Sequence, residues 1–188
     1  MNQKKATPKN EVAINTKPNN NTNKRFTVFN SHKATTAEKH ISWNELLELL
    51  KNPSIGKKDN SKLIVPFISE GKTKEHSEKA DHFAIVLDHD HDNRSMEEVI
   101  SLYEPYGVAM CAYSTSSHLQ TDERHPVPEK RWKVVTPLSS ASSADQIQPI
   151  SEGLAILFGS DAAQARKQQG FYAPNKLSEF APYEYFED

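Results

Sequence analysis

The chain has 188 residues, one cysteine and a formal net charge of −2 at pH 7, enough for one core-bearing domain with or without tails. The lone Cys111 excludes an internal disulfide framework and fits a reducing compartment, and neither a signal peptide nor a membrane span of roughly 18 apolar residues is present, so a cytoplasmic protein with no membrane partner is expected. Near-neutral charge argues against tight non-specific binding of nucleic acid by the whole surface, while leaving room for a local basic patch.

Residues 1–24 are rich in Asn, Lys and Thr with hardly any large apolar side chain. They cannot bury enough surface to offset their ordering entropy and read as a disordered arm. Arg25–Phe29 is a short strand. Ile41–Leu50 carries helix signals: Ser42 as N-cap, Glu45 three residues on as in a capping box, and Leu46, Leu47, Leu49 and Leu50 as the apolar face. Gly56–Ser61 reads as a charged loop, Leu63–Ile68 as a strand broken by Pro66, and Gly71–Lys79 as a mobile charged loop.

Phe83–Asp92 reads F-A-I-V-L-D-H-D-H-D. The unbroken apolar run predicts a strand buried on both faces. Alternate side chains of a strand share a face, so Asp88 and Asp90 project together from its end while His89 turns away. Two carboxylates held that close repel unless a cation neutralises them, and hard divalent ions, Mg²⁺ or Mn²⁺, suit such oxygen donors. The same residues also read as a strand ending in a polar turn with Asp92 and Asn93 as turn formers, and Asp92 stands as an alternative ligand to Asp90.

Ser95 caps a helix running to about Tyr106, with Met96, Val99, Ile100 and Tyr103 at helical spacing and Gly107 as its stop. Val108–Thr115 is a strand ending in S-T-S-S-H, in which Cys111 is a small buried thiol; a polar loop with two prolines follows to Lys130. In R-W-K-V-V-T-P-L-S, alternation puts Arg131, Lys133 and Val135 on one face and Trp132, Val134 and Thr136 on the other, a strand with one polar face. Trp43 and Trp132 are read as core residues. Ser143 or Asp145 starts a helix to Phe158 that tolerates Pro149 near its beginning, and Gly159 ends it. Asp161, a polar stretch and the short strand or turn G-F-Y-A-P lead to Lys176, and 177–188 is an acidic tail. Strand, helix, strand, strand, helix, strand is the order of a split βαβ unit. The fold class expected is therefore α+β, with an RRM-like or ferredoxin-like core spanning 25–176 and an N-terminal α/β extension.

Three segments end in polar groups directly after an apolar element: Asp88 with Asp90, Ser116 with His118, and Asp161. In that order they resemble the archaeo-eukaryotic primase superfamily, the primase-polymerases, and within it the plasmid and phage replication primases, whose Asp-x-Asp, Ser-x-His and third acid are matched by D-H-D, S-S-H and S-D-A-A. I-S-W-N-E-L-L-E-L-L-K-N-P, R-W-K-V-V-T-P-L-S and Q-G-F-Y-A-P look like segments of the same primases, and the resemblance covers roughly Arg25 to Lys176.

The resemblance implies a DNA primase or primase-polymerase, a nucleotidyltransferase using two divalent ions, Mg²⁺ or Mn²⁺, on single-stranded DNA and nucleoside triphosphates. Asp88, Asp90 and Asp161 would be the catalytic metal ligands. Ser116 and His118, sharing a face of their strand end, would meet the triphosphate, and Arg131, Lys133, Lys176 and Arg166 would hold phosphate or template backbone. An arginine is usual where Lys133 stands, and lysine lacks its bidentate fork. A helicase or helical accessory domain in trans is the expected partner. Two other classes share these residues: a non-catalytic nucleic-acid-binding module of the same fold, and a metal-dependent nuclease. A relaxase-type reading of His89 and His91 would need an apolar residue between the histidines and a nucleophilic tyrosine nearby.

Overall fold

The computed structural model describes residues 25–90, 93–121, 123, 126–162, 170–179 and 181–188. The arm 1–24, His91, Asp92 and Arg166 lie outside the described residues. The short apolar runs pair into two four-stranded sheets. One has the order β2 (Lys39–Ile41), β1 (Phe26–Phe29), β4 (Leu63–Val65), β8 (Phe171–Tyr172); the other runs β10 (Tyr185–Glu187), β6 (Cys111–Ser114), β7 (Trp132–Ser143), β5 (Asp81–His89). Every pairing in both is antiparallel, and β3 (Ser54–Ile55) and β9 (Asn175–Lys176) form a separate parallel pair.

Helices connect and cover the strands. α1 (Trp43–Lys51) starts at the Ser42 cap, where Glu45 Oε2 accepts from the Ser42 amide at 2.8 Å. α2 (Lys74–Lys79) occupies part of the segment expected to be a charged loop. α3 (Met96–Tyr103) starts at Ser95 with its own capping box and joins β5 to β6. α4 (Ala144–Phe158) follows β7, contains Pro149 and ends at Gly159, whose φ of 66° is the left-handed conformation that glycine adopts without strain.

β5 and β6 both run antiparallel to β7, which lies between them. One face of this sheet meets α3 and α4 through Leu87, Val99, Tyr103, Val134, Ile147 and Phe158. The other meets α1 and the first sheet, where Cys111, Tyr113 and Val135 pack with Phe26, Trp43, Leu46 and Ile64. The second sheet is therefore the middle layer. That corrects the expectation of a polar face on β7: Val135 is fully buried, and polarity is confined to the strand's beginning and its far end. The segment read as an acidic tail also enters the sheet. Tyr185 pairs with Tyr113 and Glu187 with Cys111, Lys51 Nζ lies 2.8 Å from Glu187 Oε1, and the Tyr183 hydroxyl donates to the Leu50 carbonyl.

Candidate functional site

The middle sheet brings the end of β5 beside the beginning of β7, so Asp88 and Lys133 are register partners. Cross-strand partners have Cβ atoms close enough to meet. The Lys133 ammonium contacts Asp88 Oδ1, with both side chains largely buried. His89 points to the opposite face, as its parity requires, where its Nε2 and the Tyr103 hydroxyl lie 3.0 Å apart. β5 stops at His89, so Asp90 lies just beyond the strand.

Asp88 and Asp90 line one cleft of about 120 Å³ together with Ser116 and Lys133. Thr115 and Ser117 add hydroxyls to its wall, and Tyr113 contributes from β6. The rest comes from distant segments, Lys58 and the run Tyr172–Asn175. The apolar strands thus carry two acids and an ammonium to one cleft, which a second cation, Lys58, also lines.

His118 is not among the cleft-lining residues. β6 stops at Ser114, and the chain turns at once, with the His118 amide donating to the Thr115 carbonyl at 3.0 Å. The turn destroys the strand alternation that would have put Ser116 and His118 on one face. His118 packs its ring against Trp132 at 4.3 Å between centroids, and its Nδ1 accepts from the Arg131 amide at 3.0 Å. With Nδ1 accepting, the neutral ring carries its proton on Nε2. Burial lowers its pKa and favours that neutral form.

Asp161 reaches the end of β5 by its backbone, its amide donating to the Asp88 carbonyl at 2.8 Å. This position is prepared by the end of α4, where Arg94 Nη1 donates to the Phe158 carbonyl at 2.9 Å. The Asp161 side chain is not part of the cleft lining. Among the described residues no group of three or more His, Cys, Asp or Glu side chains is arranged to hold a metal. Arg131 and Lys176 also lie outside the lining: Arg131 Nη2 pairs with Glu129 Oε2 at 2.8 Å, and Lys176 Nζ donates to the Glu179 carbonyl at 2.6 Å.

Sequence reasoning missed Lys58, Tyr172 and Asn175. Lys58 is one lysine among several in a charged stretch, and its place is set by a short turn at Lys58–Asn60. The G-F-Y-A-P signal contains Tyr172 and ends immediately before Asn175; it marked the segment as a short strand or turn without giving either residue a role.

No protein-family model matches the chain, and no curated protein does. Among solved structures it is similar to the AEP domain of the cyanophage S-2L primase-polymerase, at 11% identity and a TM-score of 0.49, over 88% of this chain and 80% of that one.

Proposed function

We propose that the chain is a DNA primase or primase-polymerase domain of plasmid or phage replication, performing metal-dependent, template-directed nucleotidyl transfer on single-stranded DNA. The observation that carries this reading is the common cleft of Asp88, Asp90, Ser116 and Lys133, drawn from three separate motifs. We read β5, α3, β6, β7 and α4 as the split βαβ core, with β10 on the β6 edge.

Among the described residues the donor set fits one hard divalent ion: two carboxylates and neighbouring hydroxyls, with no sulfur or imidazole in the lining. Asp88 and Asp90 would hold Mg²⁺ or Mn²⁺, and Asp161, whose backbone amide joins the end of β5, would have to turn its carboxylate into the cleft to act as the third acid. The bound ion would neutralise charge on the transferring phosphoryl group and polarise it. Lys133 then has a second use. Freed from Asp88, its ammonium can turn to a phosphate oxygen of the incoming triphosphate, as a point charge rather than a fork. The Ser116 hydroxyl, on the same wall, can donate to phosphate oxygens as well. His118 supports Ser116 from behind by fixing the turn through the Arg131 amide.

The test is nucleotide incorporation on primed and unprimed single-stranded DNA with Mg²⁺ or Mn²⁺. Wild type is expected to extend, and the double variant Asp88→Ala, Asp90→Ala to lose extension by at least a hundredfold, about the loss of one principal electrostatic element. Equal incorporation by both overturns the reading.

One observation favours a second reading, a nucleic-acid-binding module without catalysis. Lys133 already neutralises Asp88, so the acid pair is tolerated without any ion. Binding of single strands that is indifferent to nucleotide and metal, with no incorporation, selects this alternative.

A further inference from the structure

The part of the cleft lining drawn from Lys58 and the segment Tyr172–Asn175 has its own chemistry. Lys58 Nζ lies 5.1 Å from the centroid of the Tyr172 ring, and Lys58 has no carboxylate partner among the described residues. A ring face fixes an ammonium without neutralising it, so the charge stays available to a ligand. Asn175, on the same wall, is 5% exposed. Its Nδ2 donates to the Gly56 carbonyl at 2.8 Å. That bond fixes the amide orientation, because the reverse placement would set two acceptors against each other. Asn175 Oδ1 is consequently directed away from Gly56, and it has no hydrogen-bond partner among the described residues. A buried acceptor left unsatisfied costs stability unless a donor reaches it.

Resting on the nucleotide-binding reading above, we propose that Lys58, Tyr172 and Asn175 form the recognition wall for the incoming nucleotide: Lys58 takes a phosphate oxygen, and Asn175 Oδ1 accepts from a hydroxyl or amino group of the nucleoside. The two groups come from different parts of the chain, joined by the β3–β9 pair, in which Ser54 is the register partner of Asn175 and Ile55 of Lys176. The Gly56 amide also donates to the Lys176 carbonyl at 2.8 Å. Lys58 therefore sits two residues from the contact that orients Asn175, and phosphate and nucleoside are read by a single tied unit. A ligand carrying both an anionic chain and hydrogen-bond donors meets both demands, and inorganic phosphate meets only the first.

The test is equilibrium binding to the full chain by calorimetry, with ribonucleoside triphosphates, deoxyribonucleoside triphosphates and inorganic tripolyphosphate as probes, with and without Mg²⁺. Lys58→Ala is expected to weaken all three by about tenfold, the loss of one charge-assisted hydrogen bond, with Lys58→Arg close to wild type. Asn175→Ala is expected to weaken the nucleotides and leave tripolyphosphate unchanged. Comparison of ribose with deoxyribose, and of the four bases, identifies the donor that meets Oδ1. Lys58 is exposed, so Lys58→Ala folds whatever happens at Asn175. If wild type binds nucleotides and both variants match it, the recognition wall is refuted while the proposed function stands. If wild type binds none of the probes, both are refuted.

Discussion

Asp88 and Lys133 each keep the other from being an unpaired charge in a largely buried position. Lys133→Met removes the ammonium and leaves the largely buried Asp88 without the cation that meets it across the β5–β7 register. We expect it to destabilise the fold by about 2 kcal/mol, below the cost of breaking a fully buried pair because both groups keep some solvent. Denaturant unfolding measures this, and an unchanged midpoint would refute the supporting role of the pair. Two histidines set an acid limit. Burial lowers the pKa of His82 and of His118 from the ordinary value of 6.5. Below that value the unfolded chain binds more protons than the folded one, so stability is complete above about pH 6.5 and declines as pH falls through the folded-state values. Melting temperatures from about pH 7.5 down to about pH 5 should drop, and the double variant His82→Gln, His118→Gln should give a flatter profile. The acid pair was legible in the sequence because alternation is local; the Ser116–His118 face was not, because the turn after Ser114 leaves the period of a strand.

Elements with local signals follow the sequence closely. The Ser42–Glu45 and Ser95–Glu98 capping boxes form as their spacing demands. Ser42→Ala should cost about 1 kcal/mol, read as a lowered melting temperature with no change in nucleotide binding. Gly159 combines a φ of 66° with a neighbour, Arg94 Nη2, that an added Cβ would meet at 3.1 Å. Any side chain there therefore strains the turn that delivers Asp161. β10 illustrates what local reading misses. Tyr185–Glu187 is a three-residue piece of a segment read as an acidic tail, too short to show a strand period of its own, yet it pairs because β6 has an edge to fill and α1 supplies Lys51 for Glu187. Deleting 183–188 would uncover that edge. The expected result is a lower melting temperature and concentration-dependent light scattering, the behaviour of an exposed strand edge; an unaltered monomer would contradict the pairing.

At the scale of the molecule, the three layers place the ends of β5 and β7 and the turn after β6 at one rim, against Lys58 and the segment around β8 and β9. The run from β5 through α3, β6 and β7 to α4 was readable from hydrophobic periods, whereas α2 and the short strands β2, β3 and β10 were not. The layering was not, because burial of Val135 depends on the first sheet covering β7, a contact between distant segments. The same holds for Lys58 and Asn175, which no motif marks. In the function proposed above, Asp88 and Asp90 together would seat a divalent ion. Titration of the full chain with Mn²⁺, following loss of the free-ion electron paramagnetic resonance signal, tests it directly. Wild type should take up Mn²⁺, and Asp88→Asn and Asp90→Asn should each weaken uptake by about tenfold or more, the effect of removing one anionic ligand. Uptake that is absent in wild type, or equal in all three proteins, would show that Asp88 and Asp90 do not hold an ion.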